Sequence, residues 1–161
     1  MTKKRRRVNF IRQLDEHLKE PGPDRIIASL FAHTNKDSIT AERRVLHVAL
    51  LRLKSNKRFK PLLKEFVFSE DEPYPFSRLF ESTLPRLALV GYISVPNPEY
   101  NKIVISEQTR QKIMEDEKSW FSPNTLSLID KMGKRLAELI SAREKELQDE
   151  HKRITSSRKA K

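Results

Sequence analysis

Apolar residues along this chain recur at intervals of three and four, the spacing that gathers them on one face of an α-helix. Val8, Ile11, Leu14 and Leu18 make the first such stripe, within VNFIRQLDEHLK, and Pro21-Gly22-Pro23 ends it. A second helix is predicted from Asp24, a capping residue, to Ala32, burying Ile26, Ile27, Leu30 and Phe31. Asn35 to Ser38 reads as a turn. After Thr40, Val45, Leu46, Ala49, Leu50 and Leu53 give a wide apolar face, so the third helix is expected at the centre of the core. A fourth is predicted over Phe59–Phe68, burying Leu62, Leu63, Phe66 and Val67. SEDEPYP is then an acidic, proline-bearing loop. A fifth helix follows over Phe76–Val90, with Phe76, Leu79, Phe80, Leu84, Leu87 and Val90 turned inward.

The period changes after Gly91, a residue suited to the left-handed conformation that closes a helix. Tyr92–Val95 and Lys102–Ile105 alternate as half-buried strands do, with Ile93 and Val95 facing Ile103 and Ile105. Asn97, Pro98 and Asn101 supply turn chemistry between them. Ser106 is placed to cap SEQTRQKIMEDEK, and Ser122-Pro123 to open a last helix running from Asn124 to about Arg153. Along that helix Ile129, Gly133, Leu136, Ile140, Arg143, Leu147, Glu150 and Ile154 follow alternating steps of four and three, a leaky heptad in which five of the eight are apolar.

Charge changes the picture more than composition does. The 161 residues carry a net charge of +11, unevenly spread. Residues 1–7 hold five cations and no anion, residues 8–69 twelve against seven, residues 70–150 eleven against fifteen, and residues 151–161 five against none. A basic excess at both ends and in one helical region points to a polyanion partner, most often nucleic acid. The leader KKRRR suits a nuclear localisation signal, a DNA-following arm or a solubilising end. There is no Cys, which excludes disulfides and thiolate chemistry. No run approaches the ~20 apolar residues of a membrane span, and no secretory apolar segment is found. The expected location is therefore cytoplasmic and nucleoid-associated, or nuclear in a eukaryote, with no membrane partner.

Catalysis finds no support. His17, His33, His47 and His151 are scattered without metal-ligand spacing, and His47, on a strongly apolar helix, reads as a core histidine. Asp15-Glu16 and Glu115-Asp116-Glu117 lack a partner base. Three glycines make no phosphate-cradling loop. No enzyme activity, cofactor or metal is expected.

The order helix, glycine, hairpin, capped helix, written here as LALVGYI, SVPNPEYN and KIVISEQTRQKI, resembles the C-terminal half of a winged helix-turn-helix domain. The resemblance covers Phe76 to Ile113 well and Ala41 to Phe68 more loosely. It is to the superfamily, of the MarR, PadR and ArsR types, with no close family match. It implies a mainly α fold with a small β-hairpin wing plus a long C-terminal helix. The corresponding division is a basic arm at 1–7, a helical extension at 8–38, a winged helix domain at 39–118, a dimerisation helix at 123–153 and a basic disordered tail at 154–161.

The function implied is double-stranded DNA binding by a homodimer, as a transcriptional regulator or a DNA-binding part of a plasmid, phage or chromatin system. On the fifth helix Arg78, Ser82 and Arg86 would project along the reading face, flanked by Ser77 and Glu81, with arginine bonding guanine, serine a base or a phosphate, and Glu81 accepting from cytosine. Asn101 and Lys102 would act from the wing. Arg52, Lys54, Lys57, Arg58, Lys60 and Lys64, six cations in 13 residues, would clamp phosphates. The dimer interface would use Ile129, Leu136, Ile140 and Leu147. Pro85 inside the reading helix removes its own N–H bond to Glu81, so the helix would kink there or divide in two. This proline and the acidic loop favour the alternative, a winged-helix module that docks a protein partner without reading DNA.

Overall fold

A computed structural model describes residues 22–96 and 99–160. The stripe Val8–Leu18, the basic arm and the turn residues Asn97 and Pro98 lie outside the described residues. Among the described residues the chain is mainly helical with a small two-stranded antiparallel sheet. In chain order, α1 spans Pro23–Ala32, β1 Ser38–Thr40, α2 Arg43–Lys54, α3 Arg78–Leu89, β2 Lys102–Val104, α4 Glu107–Trp120 and α5 Pro123–Lys159.

Local chemistry sets most helix ends. Pro23 opens α1 at its first turn, where the missing N–H costs nothing. The side chains of Ser77, Ser106 and Ser122 accept from the N–H groups of Phe80, Thr109 and Thr125, capping α3, α4 and α5. Gly91 has φ +81°, the left-handed conformation expected of it, and lets the chain reverse after α3. The Tyr92 N–H returns to the Leu87 carbonyl at 2.9 Å, closing that end.

One core gathers every element. Ile27, Leu30 and Phe31 of α1, Leu46 and Leu50 of α2, Phe80 and Leu87 of α3, Ile103 of β2, Ile113 of α4 and Ile129 and Met132 of α5 are all buried in it. The segment read as a helical extension thus contributes α1 to the centre, where it packs on α3, α4 and α5. α5 lies along α2 and α1.

Several expectations are corrected. The helix over Phe59–Phe68 is reduced to a 3₁₀ turn at Lys60–Leu63. Leu63 and Phe66 are buried as expected, Leu62 is half-buried and Phe59 joins them inside, but Lys54 Nζ donates to the Phe66 carbonyl at 2.6 Å, and Ser69 pairs with Phe76 in a bridge that closes the acidic loop. Val67 and Val90, expected inside, are exposed. α3 is one helix through Pro85, so it does not divide.

The hairpin is also altered. Ser94 meets Val104 in a single bridge, while the main partner of β2 is β1, in the register Ser38 to Val104, Ile39 to Ile103 and Thr40 to Lys102. Asp37 and Ala41 extend this ladder through Ile105 and Asn101. β1 escapes a periodicity search because its alternation, Ser38, Ile39, Thr40, is only three residues long with one apolar side chain. Finally, residues 154–159, expected as a disordered tail, continue α5 as exposed helix.

Candidate nucleic-acid interface

The interface predicted from sequence rests on α3, and α3 is held by an interior histidine. His47 of α2 is fully buried. Its Nδ1 accepts the Ser77 backbone N–H at 3.0 Å, so the ring hydrogen sits on Nε2, which donates to Glu81 Oε2 at 3.1 Å. Arg43 Nε donates to Glu81 Oε1 at 2.9 Å. Phe76 stacks on the imidazole at 4.7 Å between centroids, and Phe80 meets it edge-on at 5.0 Å. Burial pushes the His47 pKa down; the Glu81 bond opposes this and the Arg43 charge reinforces it, leaving the ring neutral-favouring. Burial alone would raise Glu81, but His47 and Arg43 outweigh it and hold the carboxyl below its ordinary range. α3 is thereby fixed to α2 across residues 55–77.

This lock corrects two assignments. Ser77 is buried and serves as the α3 cap, so it presents nothing to a ligand. Glu81 is engaged with Arg43 and His47.

Three predicted cations are likewise engaged. Arg86 donates both arms of its fork to Asp24 of α1, at 2.8 Å each. Arg52 does the same to Glu146 of α5, at 2.9 and 3.0 Å. With Arg143 adding a bond at 2.8 Å, Arg52 holds the Glu146 carboxyl down at about 2. Lys54 reaches the Phe66 carbonyl and lies over the Phe68 ring at 6.0 Å. The arginine forks are solvent-exposed and therefore individually weak, so a phosphate can compete for them.

Arg78 and Ser82 remain on the outer face of α3, both exposed. The Ser82 hydroxyl donates back to the Leu79 carbonyl. Lys57, Arg58 and Lys60 are exposed beside the 3₁₀ turn, and Lys64 is exposed after it. Lys102 is exposed on β2, and Asn101 just before it donates its side-chain amide to Glu99. Glu70 lines one groove with Lys57 and Lys60, and Asp71 and Glu72 after it are also exposed.

The predicted dimer residues lie elsewhere. Ile129, Leu136 and Ile140 are 0%, 2% and 4% exposed, covered by α1 and α2 of their own chain, and Leu147 is half-buried against the same core. A second copy cannot use a face already filled.

A second polar centre escaped the sequence reading. His33, at the end of α1, bonds Glu117 of α4 at 2.7 Å through Nε2 and Asp130 of α5 at 3.1 Å through Nδ1. Lys134 bonds the other Asp130 oxygen at 2.8 Å. Burial lowers the His33 pKa, but the hydrogen bonds and charges of Glu117 and Asp130 outweigh it and raise it overall. Gly133 faces this histidine: a Cβ there would lie 2.3 Å from the His33 Cβ. Arg110 is buried too, joining α4 to the Lys36 carbonyl. Only a contact map could have found these, because the partners lie 74 to 97 residues apart. Among the described residues no group of His, Asp and Glu is arranged to hold a metal ion, and no helix is long and apolar enough to cross a membrane.

Searches of family models, curated proteins and solved structures return no match to this chain.

Proposed function

We propose that the protein binds double-stranded DNA through a winged-helix-like unit, with α3 as the reading helix and the β1–β2 edge as the base of the wing. The observation that carries this is α3 itself. It is capped by Ser77, pinned from inside by His47, and closed by the Gly91 reversal into the strand region carrying Lys102. Such a helix presents Arg78 to solvent, and Arg78 makes no ion pair among the described residues. The order α1, β1, α2, α3, then Ser94 and β2 beside β1, is the order a winged helix uses. The connection over residues 55–77 is far longer than the three- or four-residue turn of a compact helix-turn-helix. It carries the exposed Lys57, Arg58 and Lys60, whose role is to hold phosphates.

Self-association as part of this reading moves along α5, past the filled stripe, to the exposed stretch that includes Ile154.

The test is fluorescence anisotropy against a random duplex at two salt concentrations, with the mass in solution measured alongside. The expected result is binding that weakens steeply with salt. Arg78→Ala should flatten discrimination among duplex sequences selected for tight binding. No binding at low salt, in spite of the net charge of +11, would sink the DNA reading and leave the protein-docking module.

A further inference from the structure

β1 is an edge strand with one side open. In its ladder Ile39 faces Ile103, the Asp37 carbonyl accepts the Ile105 N–H at 2.9 Å, and the Ala41 N–H donates to the Asn101 carbonyl at 2.9 Å. Residues 37, 39 and 41 therefore turn their backbone groups toward β2, and Ser38 and Thr40 turn theirs away from it. Neither the N–H nor the carbonyl of Ser38 or Thr40 has a hydrogen-bond partner among the described residues. The far side of β2 is taken by Ser94, which exchanges both backbone bonds with Val104. Beyond the open edge lies a groove of about 220 Å³, walled on its other side by Ala137, Ile140, Ser141 and Glu144, one face of α5. Lys36 and Lys102 stand exposed at this groove, and Glu144 is half-buried in its wall. None of these three makes an ion pair among the described residues. An open strand edge that faces a helix across a groove is the arrangement that receives an extended peptide as an added strand.

We infer that this edge takes an extended segment of a partner protein in which acidic side chains alternate with apolar ones. The backbone selects a peptide. The outward carbonyls of Ser38 and Thr40 pair with N–H donors, which a peptide supplies and a phosphate backbone does not. The pleat sets the alternation. Ile39 is buried, whereas Ser38 is exposed and Thr40 half-buried, so an added strand turns one set of side chains inward, toward Ile140, and the other outward. Lys102 lies opposite Thr40 in the register and shares the outward face, and the unpaired Lys36 adds its charge beside Ser38. The outward positions of the partner are therefore acidic, and the inward ones apolar, since Glu144 on the helix side repels a second carboxylate there. A second copy of this chain would bring its own Lys36 and Lys102 to the same edge, where like charges oppose pairing. The inference does not rest on the DNA reading, although both use Lys102.

The probe is a short fluorescein-labelled peptide of alternating Glu and Val, titrated by anisotropy into the full-length protein. It should bind, and its binding should slow hydrogen exchange at the Ser38 and Thr40 amides. The same peptide N-methylated at alternate residues along its pairing edge keeps every charge and should bind about tenfold more weakly or worse. Thr40→Pro removes only an outward N–H, so β1 keeps its bonds to β2 and far-UV circular dichroism should be unchanged, while peptide binding falls by a similar factor. Lys36→Glu with Lys102→Glu should abolish binding of this peptide. No binding, binding that N-methylation leaves unchanged, or exchange protection that falls elsewhere in the chain would overturn the inference. So would a dimer in solution that Thr40→Pro converts to a monomer, which would make a second copy the occupant.

Discussion

Gly133 and His33 show how much one close approach decides. α5 passes so near the end of α1 that any Cβ at position 133 meets the His33 Cβ and carbonyl within 2.3 to 2.9 Å. Alanine would raise helix propensity by ~1 kcal/mol, but backbone on the other side cannot yield cheaply. Gly133→Ala is therefore expected to destabilise the protein by ~1–3 kcal/mol in urea unfolding, and an unchanged or raised midpoint would show that the helices are further apart.

The two buried histidines pull stability in opposite directions with pH. His33 is held above its ordinary 6.5, so its contribution is complete below 6.5 and is lost as pH rises through the raised value. His47 is held below 6.5, so its contribution is complete above 6.5 and is lost as pH falls toward the lowered value. Measured between about pH 5 and pH 9, the stability gap between wild type and His33→Gln should be widest at the acid end and shrink above 6.5. A gap that stays constant across that range would mean that His33 is not held as an imidazolium.

At the scale of elements, α5 carries the sharpest contrast. Its heptad suggests a partner helix, and the partner is α2 with α1 of the same chain. Leu136→Ala should then cost ~2–5 kcal/mol of unfolding free energy, the range for a buried leucine, with no change in mass in solution. A mass that halves while the fold survives would restore the dimer reading for this stripe. α3 shows the converse case. Its start and stop are local, set by Ser77 and Gly91; the stop is legible in the sequence, whereas the stripe Phe76–Val90 places Ser77 inside the helix and hides the cap. Its attachment through His47 is not legible either, because nothing in the spacing of residues 43–54 says that an imidazole there would accept the N–H of a cap 30 residues on. The fourth predicted helix failed for a related reason. The spacing of Phe59, Leu63 and Phe66 is helical, yet a 3₁₀ turn and a lysine on the Phe66 carbonyl satisfy the same burial.

For the whole molecule, net charge is the property that matters to a polyanion, and the fold redistributes it. Arg52, Lys54 and Arg86 are drawn into internal contacts, while Arg78, Lys57, Arg58, Lys60 and Lys102 stay outward. Replacing Lys57, Arg58 and Lys60 together by Ala should weaken every duplex alike. If all three meet phosphates, the slope of log affinity against log salt should also fall by up to ~2.7, at ~0.9 per phosphate. A triple variant with the wild-type slope would move the phosphate contacts off the 55–64 segment.

What the sequence determined by itself was whatever depends on neighbours a turn apart. That covers the capped starts at Ser106 and Ser122, the left-handed Gly91, the buried stripes of α1, α2 and α5, and the basic surplus. Those features rest on i to i+4 bonding, side-chain capping and composition, which are written in short windows. Tertiary structure alone decided which strand β2 joins, which helix fills the α5 stripe and which arginine forks are occupied. Each of these pairs groups more than 60 residues apart, Ile39 with Ile103, Arg52 with Glu146 and Asp24 with Arg86. Residues so far apart meet only when the core closes, so no local pattern encodes the choice.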